Sequence, residues 1–138
     1  MNKKLKPEDL DVVILCGGKG TRLRSIISDR PKALAKINGV PFIDFLMNYI
    51  ASFNFKRFIF CIGYKGKQIK QYYKKKSFPS LKIAFSEEKS PLGTGGAIKN
   101  AERLIKSNPF LVVNGDTFCR FNFNEFIDFH MDKKARLS

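Results

Sequence analysis

At 138 residues the chain has the length of one domain, and with 43% hydrophobic residues and 14 Phe it can build a real core. Its net charge of +14 favours anionic partners such as nucleotides, sugar phosphates or nucleic acid. No stretch reaches the length of a transmembrane helix, and the lysine-rich start (residues 1–7) leads into Glu8-Asp9 and a short strand, too brief and polar for a signal peptide.

The first apolar run, Val12-Val13-Ile14-Leu15, is β-branched and short, which predicts a buried strand. Glycines follow at Gly17, Gly18 and Gly20, then Thr21 and Arg22, with Arg30-Pro31-Lys32 a short distance on. Glycines allow a ligand to approach backbone N–H groups, inward N–H groups bind anions, and Lys and Arg supply the opposite charge. A basic glycine loop behind a strand is therefore a candidate phosphate site. It lacks the Lys-Ser/Thr ending of a P-loop and does not fit G-x-G-x-x-G. Pro31 interrupts any helix that begins near Leu23.

Asn38-Gly39 predicts a turn, and Pro41 suits the first turn of a helix. Ile43, Leu46, Met47, Ile50 and Phe53 recur at three- and four-residue spacing and form one apolar helical stripe. Residues 58–62 read as a second buried strand. Residues 66–76 read as a helix with Ile69, Tyr72 and Tyr73 on its apolar side. Lysines crowd that element; interleaved with tyrosines they could bind single-stranded nucleic acid, although a solvated face is the commoner outcome.

Residues 81–85 alternate as a half-buried strand would. Thr94 could cap a helix over residues 95–105, residues 110–113 predict another buried strand ending at Asn114-Gly115-Asp116, and residues 123–134 a last helix. His130, the only histidine, reads as a surface or half-packed residue. Cys16, Cys61 and Cys119 show no C-x-x-C spacing, so reduced thiols in a cytoplasmic protein are expected. Strands alternating with helices argue for a parallel, layered α/β sheet, in which ligands bind beyond the carboxyl ends of the strands. The glycine loop, the Gly93 loop and Asp116 can then converge on one crevice.

Three stretches carry a resemblance: Gly17-Gly18-x-Gly20-Thr21-Arg22-Leu23 with Arg30-Pro31-Lys32, Pro91-Leu92-Gly93-Thr94-Gly95-Gly96-Ala97, and Val112-Val113-Asn114-Gly115-Asp116. In this order they resemble the sugar-1-phosphate nucleotidyltransferases, and their wording is nearest the heptose 1-phosphate guanylyltransferases. The resemblance implies a three-layer Rossmann-like α/β fold, mostly parallel with helices on both faces, of which residues 1–138 form the N-terminal, nucleotide-binding portion. It implies transfer of NMP from an NTP, GTP favoured, to a sugar 1-phosphate, a heptose favoured, with release of pyrophosphate. Mannose or glucose 1-phosphate, dTTP or CTP, and a non-catalytic nucleotide-binding module stay open as alternatives.

On this basis Arg22, Lys32 and Asp116 are the expected catalytic residues. Arg22 would neutralise the leaving pyrophosphate, Lys32 would bridge the α-phosphate and the attacking phosphate, and Asp116 would hold Mg²⁺. Leu15, Gly17, Gly18, Gly20, Thr21, Glu88, Gly93 and Thr94 would contact the nucleotide, with Glu88 near the base. A homo-oligomer is compatible with this; a membrane or nucleic-acid partner is not expected. The family pattern, with its second metal-binding aspartate and most of its sugar pocket, runs on past residue 138, so a fragment or a shortened product with little turnover of its own is expected.

Overall fold

The computed structural model describes residues 4–20 and 28–138. Four strands form one parallel sheet: β1 (Asp11–Leu15), β4 (Arg57–Ile62), β5 (Lys82–Glu87) and β6 (Leu111–Asn114), in the order β5-β4-β1-β6. In register, Val13 of β1 stands opposite Ile59 of β4 and Val112 of β6. Two short strands, β2 (Lys36–Ile37) and β3 (Val40–Pro41), pair antiparallel around the expected Asn38-Gly39 turn.

Side-chain alternation along the strands sends two different sets of residues to the two faces. On one face Val12, Ile14, Phe58, Phe60 and Ile62 are buried beneath three helices: α1 (Phe42–Ala51), α2 (Gly66–Lys74) and α4 (Phe123–Asp132). The predicted stripe of α1 is what it buries: Ile43, Leu46, Met47 and Ile50 are all in the core, with Phe53 packed against it. Burying each such side chain stabilises the fold by about 1.5–3 kcal/mol. α4 is seated through Phe123, whose ring lies 4.3–6.1 Å from those of Phe121, Phe53, Phe55 and Tyr49. On the other face Val13, Ile59 and Cys61 meet only α3 (Gly93–Asn100) and the turn behind it, through Ala97, Ala101 and Ile105. The layers are therefore three, as expected, but unequal.

Three sequence expectations are corrected. The helix at 95–105 begins earlier and ends at Asn100, and Thr94 does not cap it: Leu92 stands at the N-cap and no side chain bonds the first turn. The strand at 110–113 is not buried. Phe110 and Val112 are 37% and 36% exposed, because among the described residues β6 is an edge strand paired with β1 alone and Val112 points to the thinly covered face. The tyrosines of α2 do not present stacking faces. Tyr73 is buried, its hydroxyl donates to Asp44 of α1 at 2.9 Å, and Tyr72 and Lys76 donate to the same carboxylate. These groups tie α2 to α1, which removes the aromatic half of a nucleic-acid surface there.

Candidate functional site

Because the strands are parallel, Leu15, Ile62, Glu87 and Asn114 all end at one rim. The ladder runs slightly past them: Cys16 N donates to Cys61 O at 3.0 Å, Gly115 N to Leu15 O at 2.8 Å, and Glu88 N to Ile62 O at 2.9 Å. Main-chain bonds thus fix the roots of the loops that follow. Above this rim lies a cleft of about 520 Å³. Its walls include Leu15, Gly17, Gly18 and Gly20 from the first loop, Lys32, Glu88, Gly93 and Thr94, and Asp116. All the expected site residues that are described meet there. Thr21 and Arg22 lie outside the described residues.

Close backbone approach explains the first glycines. A Cβ on Gly17 would meet Glu88 Oε1 at 2.6 Å, and one on Gly63, at the end of β4, would meet the Gly17 carbonyl at 2.9 Å. The loop after β1 can pass the ends of β4 and β5 only without side chains there. Glu88 is held by this contact and accepts from Leu92 N at 3.3 Å, which ties the outer strand to the start of α3.

Lys32 arrives from a different part of the chain. It opens a one-turn 3₁₀ helix, Lys32–Leu34, whose Ala33 and Leu34 are buried in the main core. Its stem passes Gly20, where a Cβ would stand 3.4 Å from Lys32 Cβ. Its ammonium reaches Asp116 Oδ2 at 2.7 Å. The segment just before it is held by α2: Lys65 Nζ donates to the Ser28 carbonyl and Gln68 Nε2 to the Asp29 carbonyl at 3.0 Å. Two anchors, the buried turn and α2, therefore place this lysine.

Asp116 stands two residues beyond β6 with a half-exposed side chain. The hydrogen bond from Lys32 outweighs partial burial and, with one from Thr117 Oγ1, holds its carboxyl below the usual carboxylate range. It is an ionised, hard oxygen donor at neutral pH. Among the described residues no group of three or more His, Cys, Asp or Glu side chains could hold a metal. A cation at Asp116 would need oxygens from its ligand, which fits the habit of Mg²⁺ to bind one or two carboxylates plus phosphates.

The expected site residues leave out several wall residues: Ala97 and Asn114 lie within the quoted motif stretches, whereas Ala33 and Cys61 lie outside them. Cys61 lies one residue before the end of β4 and Asn114 closes β6 at the same rim, so nearness to strand ends was the available signal. Burial disfavours the thiolate at both cysteines of the cleft, Cys16 and Cys61. Burial first, then the neighbouring Cys61 and Glu88, pushes Cys16 far up, and burial with Glu88 pushes Cys61 to about 11. All three cysteines are free, as expected. Half-buried His130 lies outside this cleft, bonded to Ser138 Oγ at 2.8 Å.

Comparisons with known proteins show the family. A family model described as nucleotidyl transferase matches residues 11–138. The D-glycero-alpha-D-manno-heptose 1-phosphate guanylyltransferase of Campylobacter jejuni is 48% identical over 109 residues, 79% of this chain and 48% of that protein. The enzyme of the same name from Aneurinibacillus thermoaerophilus is 35% identical, over 94% of this chain and 56% of that one. The crystal structure of HddC from Yersinia pseudotuberculosis complexed with GMP-PN superposes with a TM-score of 0.81 at 43% identity, covering 89% of this chain and 55% of that one. The chain thus spans about half the length of the curated relatives it matches. With the family matched over almost the whole chain, the protein belongs to the nucleotidyl transferase family.

Proposed function

We propose that these residues are the nucleotide-binding part of a sugar-1-phosphate nucleotidyltransferase, with GTP as nucleotide and a heptose 1-phosphate as acceptor. The observation that carries this is the meeting of Lys32 and Asp116, 84 positions apart, at 2.7 Å in the cleft that also holds the glycine loop. The choice of guanine and heptose rests on likeness to the relatives named above.

In the proposed reaction an oxygen of the sugar phosphate attacks the α-phosphorus in line and pyrophosphate leaves. Positioning and charge neutralisation are the main work of such a site. Backbone N–H groups of Gly17, Gly18 and Gly20 cradle the phosphates. Lys32 bridges the α-phosphate and the incoming phosphate, and Arg22 is assigned to the departing pyrophosphate on sequence grounds. Glu88 accepts from the N–H edge of guanine, Leu15 and Gly93 flank the nucleoside, and Thr94, freed from capping, faces the cleft. Bound at Asp116, Mg²⁺ would supply charge stabilisation between phosphate oxygens. A cytoplasmic setting suits these substrates; among the described residues no helix is long and apolar enough to cross a membrane.

A thermal-shift panel of GTP, CTP, UTP, dTTP and ATP with Mg²⁺ tests the assignment, since a ligand at 100 times its Kd stabilises by about 2.7 kcal/mol. GTP is expected to raise Tm most. No shift with any triphosphate would sink the reading, and a pyrophosphate-release assay run beside it separates binding from turnover.

A further inference from the structure

The turn that joins β4 to α2, residues 63–66, touches the first loop at both of its ends. Gly63 stands against the Gly17 carbonyl, so close that a Cβ there would lie 2.9 Å from it. Two residues on, Lys65 Nζ donates to the Ser28 carbonyl, and Gln68 Nε2 donates to the Asp29 carbonyl at 3.0 Å. Between Gly17 and Ser28 the sequence carries the other loop glycines, Thr21 and Arg22, and Ser28 stands four positions before Lys32. Lys65 itself has an unfavourable backbone. The turn is closed by Gly66 N donating to Gly63 O at 2.8 Å, and it holds Lys65 at φ 53° and ψ 23°, the left-handed region that favours glycine. Its side chain is half-buried, with the ammonium 5.4 Å from the centre of the Tyr64 ring. Glycine would satisfy this turn with less strain; with lysine in its place, the strain is offset by what the side chain holds.

We propose that this turn clasps both ends of the phosphate-binding loop, and that Lys65 is a positioning residue for the triphosphate. Lys65 is not part of the cleft wall, so it acts through Ser28 and the run to Lys32 rather than on the ligand. The inference rests on the reading of the glycine loop as the phosphate site. It adds that nucleotide affinity depends on bonds made from the start of α2.

The test measures GTP binding with Mg²⁺ by calorimetry on the whole 138-residue chain, beside melting and amide hydrogen exchange over residues 28–32. Lys65→Gly relieves the left-handed strain and loses the clasp. Its Tm is expected within about 3 °C of wild type. Its GTP affinity should be about tenfold weaker, and its exchange over 28–32 faster without ligand. Lys65→Arg keeps a charged donor and should bind within about twofold of wild type. Lys134→Gly removes the same charge from another left-handed lysine, φ 48°, just beyond α4, and should change neither affinity nor exchange. Where Lys65→Gly melts lower, Gln68→Leu leaves the turn intact and is expected to weaken GTP binding about threefold. Unchanged affinity in both Lys65→Gly and Gln68→Leu, an equal loss in Lys134→Gly, or Lys65→Arg as weak as Lys65→Gly would overturn the proposal. A wild-type chain that binds no triphosphate would instead count against the nucleotide reading, while exchange over 28–32 still decides the clasp.

Discussion

Two aspartate–cation pairs stand at opposite ends of the sheet and teach different lessons. Asp11, at the start of β1, is 1% exposed and fully used: it accepts from Arg57 Nε at 2.7 Å and from the Lys106 and Ser107 N–H groups at 2.5 and 2.8 Å. Its own N–H donates to Ser107 Oγ, and Arg57 also reaches the Asp9 carbonyl. Asp116, at the far rim, has one lysine, one hydroxyl and open solvent. The first carboxylate has every partner that folding can give it, so its chemistry is spent on structure. The second keeps acceptor capacity facing a cleft, which is where a ligand can be bound.

The comparison can be broken most forcefully at Asp11. Asp11→Ala leaves Arg57 and two backbone N–H groups without their acceptor and should cost about 3–5 kcal/mol in urea unfolding, as removal of one partner from a buried pair does. A milder loss, about 1–2 kcal/mol, is expected for Tyr73→Phe, which removes one of three donors to buried Asp44.

Acid titration sharpens the contrast further. Burial alone would raise the Asp11 pKa, but the hydrogen bonds from Arg57, Lys106 and Ser107 and the guanidinium charge prevail and hold it below its usual 3.8. A depressed folded value means stabilisation that is complete above the unfolded pKa and lost as pH falls through the folded one. Below about pH 4 the wild type should therefore lose stability more steeply than Asp11→Asn. The smallest stability change belongs to Asp116→Asn, within about 1 kcal/mol of wild type by thermal melting. That variant should nonetheless lose the metal-dependent part of GTP binding. A large loss of stability there would erase the distinction drawn between the two pairs.

Much of this was legible in the residues. The β-branched runs at 12–15 and 58–62, the stripe of α1 and the three motif stretches pointed to a parallel sheet with loops gathering at one rim. What escaped were the structural side-chain partnerships between residues distant in sequence. Asp11, Arg57 and Ser107 are 46 and 96 positions apart in their contacts, and no local period marks them. Asp44 sits on an otherwise apolar face of α1 and becomes intelligible only when Tyr72 and Tyr73 of α2, and Lys76 just beyond its end, arrive beside it. The exposure of Val112 follows from strand order, since an apolar tetrapeptide reads the same at an edge as in the middle. Thr94 looked like a cap because threonine often is one; here the chain enters the helix at Leu92 instead.

The strand order also makes the sheet a ruler. Glu88 follows β5 at one margin and Asp116 follows β6 at the other, with the glycine loop on β1 between them. Three inter-strand steps of about 4.8 Å separate those strand ends, about 14 Å, yet the Glu88 carboxylate leans back across the end of β4 to lie against Gly17. The gauge a ligand meets at the rim is therefore set by the lean of that side chain as well as by the spacing of the strands.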